Sequence, residues 1–103
     1  MGEKELKALI GEIITLCDPM FVYLVSSKRD NKGNVTSVKL CVVVDDGLMP
    51  SEQEKKLLIE TDTTVPIDYI VYNISDWNEY ACEDYSFAYR VENGGEKLYV
   101  KGE

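Results

Sequence analysis

The run Val38-Lys39-Leu40-Cys41-Val42-Val43-Val44 is apolar at every position but one, and it constrains the fold more than any other stretch of the chain. Successive strand side chains point to opposite faces, and a run this apolar needs sheet neighbours on both sides. A second run, Phe21-Val22-Tyr23-Leu24-Val25, precedes it across a polar stretch that contains Asp30-Asn31-Lys32-Gly33-Asn34, and the pair predicts a β-hairpin. Ile67-Asp68-Tyr69-Ile70-Val71-Tyr72, with β-branched and aromatic character, predicts a third strand, central in the same sheet.

Around these strands the apolar period changes to that of helices. Leu6, Leu9, Ile10, Ile13, Ile14 and Cys17 recur at three- and four-residue spacing, which predicts a helix from Glu3 to Cys17 stopped by Asp18-Pro19. Ser51 with Glu54 three residues later predicts a capping box for a short helix through about Glu60, anchored by Leu57, Leu58 and Ile59. One final helix is expected, capped by Ser75 or Asn73, with Trp77, Tyr80, Ala81, Tyr85, Ala88 and Val91 on one side and Gly94-Gly95 as its stop. Lys97-Leu98-Tyr99-Val100 then closes the sheet. The order α-β-β-α-β-α-β predicts a single α+β domain over residues 1–103, a small mixed β-sheet with helices packed on one face. The aromatic residues Trp77, Tyr80, Tyr85, Phe87 and Tyr89 are too many for one buried stripe, which leaves two readings open: a core with tyrosines at its margin, or a protein-contact surface.

Nineteen acidic against 11 basic residues give a net charge of −8, a field that repels phosphate backbones and anionic lipid. Nucleic acid and membrane are therefore not expected as partners. The chain has no histidine, so the usual general base and most zinc sites are excluded and only carboxylate chemistry is left for catalysis or for hard metal ions. Cys17, Cys41 and Cys82 are odd in number, far apart and in or beside apolar stretches, which predicts small buried, reduced side chains and a cytoplasmic location. No apolar run approaches the length of a membrane span. No cofactor is expected.

From Phe21 to Glu103 the chain resembles the minimal nucleotidyltransferase domains, of the polymerase-beta type, that accompany HEPN-domain proteins in prokaryotes. In that family the first strand ends in Gly-Ser, a following strand opens with Asp-x-Asp, a later strand adds a third Asp, and a helix leads to Gly and then Leu-Tyr. The matched places here read Val25-Ser26-Ser27, Ser37-Val38-Lys39-Leu40, Ile67-Asp68-Tyr69 and Gly94-Gly95-Glu96-Lys97-Leu98-Tyr99. Asp-x-Asp sets two carboxylates side by side to hold divalent metal. By the resemblance, Ser37 and Lys39 stand in their places, and a lysine there repels magnesium. Ser26 replaces the glycine that lets backbone approach phosphate, while Ser27 matches the family serine. The turn-prone stretch Lys28 to Thr36 stands where the family has a short helix.

The resemblance therefore implies a degenerate site at Ser26, Ser27, Ser37, Lys39 and Asp68, without catalytic residues or a bound metal. It implies a catalytically inactive domain that serves as a protein-interaction module, either as a homodimer or beside a HEPN-type helical partner. Asp68 is expected to be half-buried and paired with Lys39 on a neighbouring strand. Asp45-Asp46 is read as a turn, since adjacent strand residues point to opposite faces and the pair lies roughly 20 Å along the strand from Lys39. The rivals are an active metal-dependent nucleotidyltransferase with a displaced site using Asp68, Asp62 or Asp45-Asp46, and a stand-alone small α+β domain outside the family.

Overall fold

A computed structural model describes residues 2–102. The first helix, α1 (Glu3–Cys17), buries Leu9, Ile13 and Cys17 along one side. It ends where Asp18 turns left-handed, with φ 45°, and donates its backbone N–H to the Ile14 carbonyl. Asp is one of the few residues that tolerate this conformation, and Pro19 then has no N–H with which to continue the helix.

Four strands follow in one mixed sheet: β1 (Phe21–Arg29), β2 (Val35–Val44), β3 (Ile67–Asn73) and β4 (Glu96–Val100). Their order is β3-β2-β1-β4, with β1 antiparallel to both its neighbours and β2 parallel to β3. A parallel pair needs a crossover, supplied by α2 (Pro50–Glu60). The α+β class, the mixed sheet and the joining of the hairpin to the Ile67 strand are as expected.

Several details differ, each for a local reason. β3 is an edge strand and not a central one, because β1 already occupies the inner side of β2 and β4 closes beyond β1. The hairpin arms reach further into the polar stretch than predicted, since Asp30 closes the turn by accepting backbone N–H bonds from Lys32 and Asn34, each at 2.9 Å. Ser51 forms no capping box. Pro50, with no N–H to satisfy, opens α2 behind Met49, which places Ser51 inside the first turn. Only Leu57 of the three expected anchors is buried; Leu58 and Ile59 face outward.

The predicted last helix is two helices, α3 (Ile74–Ala81) and α4 (Phe87–Gly94), so the order is α-β-β-α-β-α-α-β. The break comes at Tyr85, left-handed with φ 69° and 89% exposed. Ser86 starts the second helix, accepting the Tyr89 N–H at 3.0 Å while its hydroxyl donates to the Tyr80 carbonyl at 2.5 Å. Two caps thus lie within what the apolar spacing reads as one helix.

The helices cover both faces of the sheet, not one. Val38, Leu40, Val42 and Val44 pack with Leu9, Ile13 and Leu57 from α1 and α2, while Tyr23, Cys41 and Val43 pack with Trp77, Ala88 and Val91 from α3 and α4. This follows from β2 itself, whose two sets of alternating side chains are both apolar and each need cover. Fully burying one such valine or leucine stabilises by about 1.5–3 kcal/mol, so these two layers dominate the fold. Cys17 and Cys41 are buried in them, whereas Cys82, expected to be buried, is exposed just after α3. Burial pushes the Cys41 thiol up to about 12. Among the described residues, no helix is long and apolar enough to cross a membrane.

Candidate functional site

The places singled out in the sequence come together at one end of the sheet. Ser26, Ser27, Ser37, Lys39 and Asp68, with Lys28, line a groove of about 340 Å³. A register shift in β1 at Val25 creates the arrangement, because Leu24 pairs with Leu40 but Ser26, two residues on, pairs with Lys39. Residues paired across a ladder share a face, so Ser26 and Lys28 lie on the face of Lys39 and Ser37. Ser27 pairs with Val38 and belongs to the opposite face. The serine matched by the resemblance is thus the one turned away from Lys39.

On the other side of Lys39 the parallel register places Asp68 directly opposite it. The expected neighbourhood is present, yet the expected ion pair is not. Asp68 is exposed rather than half-buried, and the ion pairs among the described residues are Lys7–Glu3 at 3.9 Å and Lys101–Asp18 at 2.8 Å. An edge strand explains the difference: water reaches the Asp68 carboxylate, so no buried charge demands a partner.

Lys39 also borders a second groove, of about 450 Å³, between β1 and α4, where it meets Val25, Phe87, Arg90 and Gly95. Gly95 permits the close approach there, since a Cβ on it would lie 2.7 Å from the Val91 carbonyl oxygen and 3.3 Å from that of Leu24. Glycine is the residue that fits where helix end and strand meet this closely.

The other carboxylates considered for chemistry have structural partners or stand apart. Asp45 accepts the Gly47 N–H at 2.9 Å, closing the turn after β2. Asp46 accepts the Ser75 N–H at 2.9 Å and also the Ser75 hydroxyl, at the start of α3. The hydroxyl, then the N–H, hold the Asp46 carboxyl below its ordinary value. Asp62 is exposed in the loop before β3. Among the described residues, no three Cys, Asp or Glu side chains converge in a way that could hold a metal ion.

One polar residue of consequence was not legible in the sequence. Glu92 on α4 accepts hydrogen bonds from Tyr23 Oη and Trp77 Nε1, each at 3.1 Å, beneath two stacked rings whose centroids are 5.5 Å apart. Burial, then the bond to Glu92, raises the Tyr23 pKa above its ordinary value. A Glu in the last turns of a helix reads as a solvated charge, and its two partners come from elements 15 and 69 residues away. Comparison with known proteins adds no relative: the chain matches no protein-family model, no curated protein and no solved structure.

Proposed function

We propose that the protein is a catalytically inactive nucleotidyltransferase-like domain of the cytoplasm that acts as a protein-interaction module. The family part of this reading rests on the motif resemblance. The observation that carries the inactive part is the register of β2 on β3, which sets the Lys39 side chain, and no carboxylate, beside Asp68. In the family that the chain resembles, an Asp-x-Asp pair and a third Asp converge to hold the cation against the phosphates. Here one exposed carboxylate shares its face with Lys39, Lys28, Ser26 and Ser37. The interaction part is supported by side chains that the fold leaves uncovered, Met49, Leu58, Ile59, Tyr80 and Tyr85 among them. The resemblance suggests a homodimer or a HEPN-type helical protein as the partner.

The test is incubation with each nucleoside triphosphate, magnesium or manganese, and protein or small-molecule acceptors, read by intact mass. No nucleotide adduct is expected. Transfer that disappears in Asp68→Ala would establish an enzyme in its place.

A further inference from the structure

We infer that the outer edge of β3 is a docking site for an extended, basic and apolar segment of a partner protein, which adds to the sheet as a fifth strand. The inference rests on reading the protein as an interaction module and names the surface and the chemistry of what it binds. In the parallel ladder Val38 donates its N–H to the Pro66 carbonyl at 3.1 Å. The pairing of Val38 with Ile67 then directs the N–H and C=O groups of Asp68, Ile70 and Tyr72 toward β2. Those of Ile67, Tyr69 and Val71 point outward, and among the described residues no hydrogen bond reaches them. Tyr69 and Val71 are 2% and 8% exposed, so neighbouring side chains screen their outward groups from water, and a pairing strand has to displace that cover before it satisfies them.

Apart from the charge of Asp68, β3 lacks the devices that protect sheet edges. It runs seven residues in unbroken register, with no Pro, Lys or bulge. The opposite edge, β4, is five residues long, carries Glu96 and Lys97, and is irregularly paired to β1. Apolar side chains flank β3 on both faces. Leu58 of α2, 56% exposed, and Tyr69 border a groove of about 450 Å³ on one side. On the other, Tyr80 of α3, 41% exposed, packs on Tyr72 with ring centroids 6.1 Å apart. A strand added here would find places for its side chains on both faces.

Charge decides which segment fits. From Leu57 to Tyr89 the chain carries seven carboxylates and no lysine or arginine, and this stretch supplies the end of α2, the loop, β3 and α3. All seven are exposed. A second copy pairing edge to edge would set two such stretches against each other, whereas lysines or arginines alternating with apolar residues meet complementary charge.

The test uses the full chain and a blocked peptide of alternating lysine and valine, with an N-methylated counterpart of equal charge that cannot form the ladder. Amide exchange by nuclear magnetic resonance should slow by about tenfold or more at Ile67, Tyr69 and Val71, only with the unmethylated peptide. Asp62→Lys with Asp68→Asn, both exposed, should weaken binding about tenfold without changing the melting temperature. Ile67→Pro removes an outward N–H at the first strand position, where proline is tolerated, and should also weaken it. Equal effects of the two peptides, slowing at Lys97 and Tyr99 instead, or full affinity in the doubly substituted variant would overturn the inference. So would a homodimer in which the β3 amides are already protected. Nucleotide transfer would sink the inactive-domain reading and leave these exchange results standing, so the two failures are distinguishable.

Discussion

Replacing Glu92 by alanine removes one acceptor from two buried donors. Trp77 is 1% exposed and Tyr23 2%, and both direct their polar hydrogens to the same Glu92 oxygen at 3.1 Å. Each bond to a charged acceptor is worth about 1.5–3 kcal/mol, but Glu92 itself is exposed, so water can replace part of what is lost. Its charge also sits close to the end of α4, an unfavourable place for an anion, and removing it returns a few tenths of a kcal/mol. The net expectation for Glu92→Ala is a loss of about 1–3 kcal/mol, or roughly 5–15 °C in melting temperature for a domain of this size. Urea unfolding followed by Trp77 fluorescence measures it without ambiguity, since Trp77 is the single tryptophan. Glu92→Gln keeps a neutral acceptor and should lose about half as much. In Tyr23→Phe the effect of Glu92→Ala should shrink by about 1 kcal/mol. A loss below about 0.5 kcal/mol in Glu92→Ala, with the denaturant slope unchanged, would refute the reasoning.

Three further outcomes are expected. Cys82 should be the one thiol alkylated in the native protein, with Cys17 and Cys41 reacting only under denaturant; intact mass after brief labelling checks it, and double labelling in native buffer would contradict the burial. Asp46, held below its ordinary carboxyl value by Ser75, contributes stability that is present above that value and lost as pH falls through the lowered one. The difference between wild type and Asp46→Asn in urea midpoint should accordingly be level above about pH 5 and narrow below about pH 4, and a difference that grows in acid would count against it. Lys39 and Asp68, adjacent but unpaired, should show a coupling below about 0.5 kcal/mol in the double-mutant cycle of Lys39→Ala and Asp68→Asn, and a coupling above about 1 kcal/mol would restore the ion pair.

Much of this architecture is written in local patterns. The α1 stripe and its Asp18-Pro19 stop give the helix bounds residue for residue, and the continuous apolar run of β2 requires the sheet around it. That same run also demands cover on two faces, and the expectation of helices on one face overlooked it. The edge position of β3 depends on a contact between Val22 and Tyr99, distant in sequence, which brings β4 to the far side of β1. The break between α3 and α4 lay hidden because Trp77, Ala88 and Val91 keep a helical spacing across Tyr85, although Ser86 was a cap in plain view. Of the site, the gathering of Ser26, Ser37, Lys39 and Asp68 follows from strand pairing and alternation, which a sequence carries. The bulge that turns Ser27 to the other face, and the water that reaches Asp68, belong to the assembled sheet.

β3 thereby serves two surfaces at once. Its inner ladder holds Asp68 beside Lys39 in the serine-lined groove, while its outer edge presents the unpaired groups of Ile67, Tyr69 and Val71. The exposed Asp68 carboxylate can swing toward Lys39 or toward a lysine on an incoming strand, and it has one charge to offer. In water such a contact is worth at most about 1 kcal/mol, so neither dominates. Docking at the edge would draw Asp68 outward and leave Lys39 as the uncompensated cation of the groove. Removing the carboxylate with Asp68→Asn should then mimic at Lys39 what a bound strand does, while weakening the docking itself.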